Sequence, residues 1–346
     1  MPKKYQDLPR YDADRPSKLG VLLVNLGTPD SPAVGDVRRY LAQFLGDPRV
    51  IEVARPLWWL ILHGVILRIR PPRSAKAYRE VWSDQGSPLL AISRRQAAAL
   101  QQELDDRLHG PAQVELAMRY GNPSIPDALA RLREGNAQRV LVLTAYPQYS
   151  ATTTASVFDA VSEELRQRRW LPELRFINDY HNDPGYIEVL ARHIRAFWGV
   201  HGRPKRLLMS FHGIPKRYRE AGDPYFHQCK ASAELLAKAL GLEGDAWALS
   251  FQSRVGREEW LKPYTDETLK RWGGEGLQSV QVVCPGFPTD CLETLEEIAG
   301  ENREYFEQAG GGDYRFIPGL NASPSHMEFY AGLAARHCQG WPEAGD

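Results

Sequence analysis

The sequence lacks several features that would place it in a specialised class of protein. Basic and acidic residues both number 43, so there is no positive excess of the kind that binds nucleic acid. No apolar run approaches the ~20 residues that span a bilayer. The polar first five residues also lack the apolar stretch of a signal peptide. We therefore expect a cytoplasmic protein with no nucleic-acid partner.

Cysteine and the common nucleotide or hydrolase motifs are equally sparse. The 4 cysteines, at positions 229, 284, 291 and 338, match neither zinc-finger nor iron–sulfur spacing. We expect reduced thiols without disulfides. The sequence has no G-x-G-x-x-G loop after its first apolar run, no Walker A loop and no G-x-S-x-G elbow. These absences weigh against a dinucleotide dehydrogenase, an NTPase and an α/β-hydrolase.

What the sequence does contain is a regular alternation of strand-like and helical segments. The first apolar run, residues 19–27, is typical of a strand buried on both faces. Further strands are predicted at residues 114–118, 139–146, 174–177, 206–211, 246–251, 280–283 and 314–317. Such alternation predicts parallel sheets covered by helices. The strands divide naturally into two four-stranded halves, and the cleft between them is the default site.

One stretch, residues 282–297, is the most informative. It begins as a buried strand, breaks at a Pro-Gly pair and restarts as an acidic helix that we expect Thr289 or Asp290 to cap. Side chains four apart share a helix face. One carboxylate stripe, which we call the acid row, therefore consists of Glu293, Glu297 and Glu301. A solvated helix face is the alternative, but ligands bind just beyond strand ends in open α/β sheets.

A histidine stands at another strand end. His212 follows the predicted strand at 206–211, and the turn after it is fixed by Gly213 and Pro215. A lone histidine is more often structural than catalytic, but this position favours function. His181, flanked by two aspartates, offers a metal site, although a plain loop is the favoured interpretation. The other histidines are interpreted as surface or structural residues.

Residues 56–70, which we call the lip, are apolar nearly all round. They include two adjacent tryptophans and end in a basic cluster formed by Arg68, Arg70 and Arg73. The run is too short to cross a bilayer, and one interpretation is a buried core helix. The alternative is an exposed segment that contacts a flat apolar ligand or a membrane surface, with arginines holding acidic groups.

Several motifs in a fixed order resemble the ferrochelatase family, most closely its proteobacterial branch. They are LVNLGTP at 23–29, YPQYS at 146–150, SFHGIP at 210–215, FQSRVG at 251–256 with WLKPYTDE at 260–267, and PGFPTDCLETL at 285–295. The resemblance covers about residues 19–330. It implies an α/β chelatase-like fold of two Rossmann-like halves, each a four-stranded parallel sheet flanked by helices.

The resemblance also implies domain boundaries. The N-terminal half with the lip would span residues 18–160, and the C-terminal half with His212 and Glu293 would span residues 161–320. A C-terminal helix and tail, residues 321–346, would pack back on the first half.

The implied activity is that of a lyase that inserts Fe²⁺ into protoporphyrin IX to give protohaem, the terminal step of haem biosynthesis. By motif match, His212 is the catalytic histidine and Glu293 its partner carboxylate, both at the metal. Glu297 and Glu301 would continue from them as a delivery ladder. The implied lining of the porphyrin cleft consists of Arg119, Tyr120, Tyr146 and Trp260.

Two departures from the family pattern change the expectations. Many members carry a histidine where this chain has Cys291, so that position is not predicted as a metal ligand. Some members hold an iron–sulfur cluster through C-terminal cysteines, whereas this chain has Cys338 alone near its end. We expect no cluster and no resident cofactor, with Fe²⁺ as substrate. We also expect a cytoplasmic monomer that touches the inner membrane face peripherally through the lip.

The chemistry fits these residue types. Insertion of a divalent metal releases two pyrrole protons, so bases must stand close to the ring. Imidazole titrates near pH 6.5, and a half-buried carboxylate can be shifted toward that range. Three alternatives stay open: a cobalt-inserting chelatase, one that acts on coproporphyrin, and a porphyrin or metal carrier that performs no insertion. Whether the acid row delivers metal or removes protons is also open.

Overall fold

The computed structural model describes Tyr5, residues 14–256 and residues 258–345. Within these residues the strands are β1 Lys18–Thr28, β2 Ala112–Gly121, β3 Ala137–Thr144, β4 Glu173–Ile177, β5 Arg206–His212, β6 Trp247–Gln252, β7 Ser279–Val283 and β8 Asp313–Ile317. Each strand lies within a few residues of its predicted position, because runs buried on both faces stand out in the sequence.

The helices that separate these strands are α1 Val34–Gly46, α2 Arg55–Ile61, α3 Leu67–Val81, α4 Pro88–Arg107, α5 Ile125–Glu134, α6 Ser156–Arg166, α7 Pro184–His201, α8 Lys216–Glu220, α9 Tyr225–Leu240, α10 Thr265–Gly274, α11 Asn302–Gln308 and α12 Pro324–His337. The described residues also form π-helical segments at Leu62–Ile66, Ala151–Ala155 and Glu293–Glu301, and 3₁₀ turns at Gly244–Ala246 and Pro342–Ala344. None of the described helices is long and apolar enough to cross a membrane.

The chain forms two compact units. The first half comprises the described residues up to 145 together with 151–178 and 322–345, and the second half comprises 146–150 and the described residues of 179–321. The first half contains a parallel sheet of order β2-β1-β3-β4. Its central strand β1 is buried along almost its whole length. Because β4 pairs with β3, the first half extends past the boundary expected at residue 160.

The second half repeats this architecture with a parallel sheet of order β6-β5-β7-β8. Two four-stranded parallel sheets flanked by helices confirm the predicted fold class. The repeat is visible in sequence as well, because β4 and β8 both contain Arg-Phe-Ile and are followed by helices that begin with Pro184 and Pro324. The third strand of each half is also followed by a π-helical segment.

The core of the second half anchors the acidic π-helical segment. Ile298 from that segment is fully buried and packs in one cluster with residues of β5, α10, β7 and β8. The hydroxyl of Tyr314 on β8 donates to the carbonyl of Ile298 at 2.6 Å. The apolar face of the segment is therefore fixed against the sheet, which leaves the glutamates on the other face.

The lip belongs to the first half, where it runs through α2, the segment Leu62–Ile66 and the start of α3. The buried-helix interpretation is wrong, because Trp59 is 59% exposed, Leu60 61% and Ile69 71%. Leu62 and Leu67 are buried and hold the segment in place. The lip therefore presents a largely apolar, solvent-exposed surface.

The C-terminal segment is held in the first half by polar contacts. The indole N–H of Trp341, a residue only 2% exposed, donates to Glu173 at 2.5 Å. The buried carboxylate of Glu343 accepts from Arg139 at 3.0 Å and from the Ser17 hydroxyl at 2.9 Å. The guanidinium of Arg175 lies 4.2 Å above the Trp341 ring. These contacts join the chain's end to strands β3 and β4.

We predict that Glu343→Ala lowers the free energy of unfolding by about 2 kcal/mol, because it removes a buried carboxylate that accepts hydrogen bonds from both Arg139 and Ser17. The matched control is Glu307→Ala, which breaks the exposed Arg303–Glu307 pair and should change stability by less than about 0.5 kcal/mol. Urea unfolding followed by tryptophan fluorescence measures both. Equal effects of the two substitutions would show that the C-terminal segment does not contribute to the stability of the fold.

Candidate active site

The candidate site lies at the carboxyl ends of β5 and β7 in the second half. The chain leaves β5 for β6 on one side and then crosses to β7 on the other. The strand order therefore reverses between β5 and β7, and open α/β sheets bind ligands in the crevice at such a point. His212 is the last residue of β5, and Glu293 begins the π-helical segment that follows β7.

Local contacts fix the tautomer of His212. Its Nδ1 lies 2.6 Å from the carbonyl oxygen of Gly213, and because a carbonyl only accepts, Nδ1 carries the proton. The neutral ring then keeps an unprotonated Nε2 that can accept one. Burial lowers the pKa of His212 below its usual value, although the charge of Glu293 and the Gly213 bond oppose this shift. The imidazole is therefore a neutral base at pH 7.

The turn after His212 requires glycine. A Cβ atom on Gly213 would stand 2.9 Å from the carbonyl oxygen of Gln252 and 3.1 Å from the ring of Trp260. The Gly213 amide also donates to that same carbonyl at 2.7 Å. On another side, the Phe287 ring centroid lies 6.2 Å from the His212 ring centroid. Glycine thus lets the strand end pack closely and holds the imidazole in one place.

Asp290 shapes the loop that leads into the acid row. Its carboxylate accepts from the Gly319 amide at 3.1 Å, the Asn321 side chain at 2.7 Å and the Thr294 hydroxyl at 3.0 Å. The predicted cap is wrong: the segment starts without a side-chain cap, because Asp290 bonds side chains and a loop amide instead. The expected α-helix is also π-helical over Glu293–Glu301, a geometry that is frequent at functional sites.

The structure brings the acid row and His212 into electrostatic contact. Glu293 acts on the imidazole of His212, and both Glu293 and Glu301 act on Glu297. Burial raises the pKa of Glu297 to about 7, even though hydrogen bonds from Ser253 oppose the shift. The row therefore contains a carboxyl group that can gain or lose a proton near neutral pH.

Two residues that are recognisable in sequence only as members of a motif hold the acid row. The Gln252 side chain donates to the carbonyl of Glu293 at 3.1 Å and accepts from the Ser210 hydroxyl at 2.8 Å. The next residue, Ser253, donates its amide to Glu297 at 2.8 Å and also its hydroxyl. The feature that could have identified them is their position at the end of β6, where Gln252 lies beside His212 in the register of the two strands.

Cys291 lies next to Glu293 but does not offer a thiolate. Burial and the neighbouring charge of Glu293 raise the pKa of its thiol well above the usual value. All four cysteines are free and buried. Over the described part of the chain, no group of three or more His, Cys, Asp and Glu side chains is arranged to hold a metal ion.

The other predicted site residues fall in both halves. Tyr146 and Trp260 are half-buried and belong to the second half, where the Trp260 indole donates to the Val255 carbonyl at 2.9 Å. Arg119 lies in the first half and donates to Asp47 at 2.6 Å. Tyr120 is only 2% exposed and donates to the same carboxylate, so its ring is an internal support rather than an exposed lining.

His181 is paired with one of its aspartates. Its Nδ1 lies 2.6 Å from Asp179, while Asp183 caps α7 by accepting from the Gly185 amide at 2.8 Å. One carboxylate is therefore engaged in capping, which agrees with the loop interpretation of this stretch.

Comparisons with known proteins identify the family. The ferrochelatase family profile matches residues 18–338. The chain is 58% identical to a ferrochelatase of Thioalkalivibrio sulfidiphilus, over 96% of this chain and 90% of that protein. It is 53% identical to a ferrochelatase of Marinobacter nauticus over 97% and 91%, and 54% identical to one of Nitrosococcus oceani over 99% and 92%.

The fold is similar to that of a solved chelatase. SirB from Bacillus subtilis, solved with Fe³⁺, superposes with a TM-score of 0.54 at 12% identity, covering 93% of this chain and 96% of SirB. At that identity the likeness shows the fold alone. The profile match over both halves and the near full-length relatives together establish that this chain belongs to the ferrochelatase family.

Proposed function

We propose that this ferrochelatase inserts Fe²⁺ into protoporphyrin IX, with His212 and the acid row as the bases that take the two pyrrole protons. Insertion of metal into a porphyrin is the reaction of the family, and it makes the protein a lyase of haem biosynthesis. The observation that carries the assignment of bases is the electrostatic interaction between the Glu293 carboxylate and an imidazole that burial keeps neutral. Both groups stand at the sheet's switch point, where a substrate is expected.

The proposed proton balance uses two acceptors. As Fe²⁺ replaces the two N–H protons, one proton goes to Nε2 of His212, and the resulting imidazolium is stabilised by Glu293. The second goes to the acid row, where Glu297 has a pKa near 7 and can pass it toward solvent. This assignment makes Glu297 a proton acceptor and leaves metal contact to Glu293, joined by Nε2 of His212 only until that nitrogen takes up its proton.

The same residues support transient handling of iron. Imidazole and carboxylate ligands bind divalent metals less tightly than thiolate cages do, and the Cys291 thiol stays protonated. We propose that Tyr146 and Trp260 contact the porphyrin from the second half, and that iron is a substrate with no resident cofactor or iron–sulfur cluster. Cys338, the cysteine nearest the C-terminus, is fully buried.

We also propose that the lip rests on the inner face of the membrane while the protein remains a cytoplasmic monomer. Two observations support membrane contact: the exposed apolar side chains of α2 and α3, which include the aromatic ring of Trp59, and the arginines that follow. Apolar side chains enter the headgroup boundary, and basic side chains attract anionic lipids. A porphyrin substrate and a haem product, both poorly soluble in water, fit such a location.

We predict that His212→Ala and Glu293→Gln each lower the rate of iron insertion by at least about 10²-fold, because each removes a group that takes part in proton transfer. An anaerobic absorbance assay with protoporphyrin IX and Fe²⁺ measures the rate, and fluorescence quenching measures porphyrin binding, which should survive. His193→Ala, which alters a half-buried histidine of α7 that contacts the Pro318 carbonyl, is the control. Unchanged insertion in Glu293→Gln would remove the acid row from the mechanism.

The same assay separates the alternatives. A wild-type protein that binds porphyrin but inserts no metal would be a carrier. Faster insertion of Co²⁺ than Fe²⁺, or faster reaction with coproporphyrin, would contradict the substrate pair proposed here.

We predict a pH-dependent stability difference that is due to Glu297. Because its folded-state pKa of about 7 exceeds its usual value of 4.5, the native state binds more protons than the unfolded state between these values. Its contribution therefore falls as pH rises from 5 to 8, by on the order of 2–3 kcal/mol. Glu297→Gln should remove this fall and be the more stable protein at pH 8.

Urea unfolding of both proteins across this pH range measures the difference, and Glu304→Gln, an exposed change on α11, should follow the wild type. Parallel pH curves for the wild type and Glu297→Gln would show that the carboxyl group is not held in a raised-pKa state.

We predict that the protein floats with anionic liposomes at low salt and that a Trp59→Ser, Leu60→Ser double variant does not. These substitutions remove most of the exposed apolar surface of α2, while Val200→Ser removes an exposed apolar side chain at the end of α7 in the second half and should leave flotation intact. Absence of wild-type protein from the lipid fraction would exclude the proposed membrane contact.

A further inference from the structure

We propose that Ser253 is a positioning residue that fixes the Glu297 carboxylate of the acid row for the insertion reaction. The inference rests on the role proposed above for the acid row. Ser253 follows the last residue of β6 and lies opposite the π-helical segment that carries Glu297. In this role Ser253 contributes to the reaction by orienting a base.

Both oxygens of Glu297 are held by Ser253. The amide of Ser253 donates to Oε1 at 2.8 Å, and its hydroxyl donates to Oε2. Two donors from one residue fix the plane of the carboxylate and its rotation about the last side-chain bond. Hydrogen bonds to a charged acceptor are among the stronger ones in proteins, so this orientation is well determined.

The backbone of Ser253 is set for this contact. Its φ of 65° lies in the left-handed region that glycine and asparagine favour and serine rarely adopts. Such strained positions cluster at functional sites when the surroundings hold them. Here the neighbours do so: the Gln252 side chain is bonded to Ser210 and to the Glu293 carbonyl, and Arg254 pairs with Asp266 at 3.0 Å.

The consequence is a fixed geometry between neighbouring carboxylates. Glu293 and Glu301 both act electrostatically on Glu297, so the direction of its oxygens decides how a proton passes along the row. Without Ser253 the Glu297 carboxylate could rotate, and its oxygens would less often face the neighbouring carboxylates in a geometry that allows proton transfer. The effect should therefore appear in turnover rather than in affinity for the porphyrin.

The test uses Ser253→Gly, because glycine adopts the same φ and keeps the amide donor while the hydroxyl is removed. We expect kcat for iron insertion to fall by about tenfold, the loss that corresponds to one hydrogen bond to a charged group. The KM for porphyrin and the melting temperature should stay at wild-type values. Ser253→Ala, which keeps the strained backbone, should lose similar activity but melt at a lower temperature.

A double-mutant cycle separates positioning from a general structural role. In the Glu297→Gln background, Ser253→Gly should cost no further activity, because the group it orients is already lost. Additive losses, an unchanged kcat in Ser253→Gly, or a rise in porphyrin KM alone would each overturn the inference. Full activity of Glu297→Gln by itself would overturn the proposed role of this glutamate, and the inference with it. If Glu297→Gln is impaired while Ser253→Gly is fully active, the inference about Ser253 is overturned but the proposed role of Glu297 is kept.

Discussion

The hydrogen bond from Nδ1 of His212 to the Gly213 carbonyl sets the chemistry of this site. It fixes one tautomer and leaves Nε2 as the basic nitrogen of the ring. Burial keeps the ring neutral despite a neighbouring carboxylate, and the close packing that produces this burial requires glycine at the following position. The hydrogen bond and the burial are both needed, because a protonated imidazole could not accept a pyrrole proton. Together they let His212 act as a base beside the acid row.

Only one of the two similar halves carries this chemistry. Alignment of the Gly-x-Pro sequences at the ends of β1 and β5 pairs Leu26 with His212, and the π-helical segment after β3, Ala151–Ala155, has no acidic residue whereas the one after β7 begins with Glu293. The first half therefore has an apolar side chain in place of the base and a segment of neutral side chains in place of the acid. One of its buried carboxylates, Asp47, is used internally to hold Arg119 and Tyr120. The same sheet topology thus serves two different tasks.

The strands, their grouping in two parallel sheets and the approach of His212 to Glu293 could be predicted from sequence. Buried strands have a strong apolar signal, and strand ends in a parallel sheet meet at one edge. The π-helical geometry and the missing cap of the acidic segment could not be predicted from sequence. Both depend on how Ile298 and Asp290 are held by other elements. The role of Ser253 depends on a positive φ, which a serine in the sequence does not indicate.

The central claim is that His212 is a neutral base whose Nε2 is free to accept a proton. Nitrogen-15 NMR of histidine-labelled protein at pH 7 tests it directly, with the His212→Ala spectrum to assign the signal. We expect a protonated Nδ1 and an unprotonated Nε2 whose signal shifts when the ring takes up a proton at lower pH. A proton on Nε2, or an imidazolium at pH 7, would contradict it.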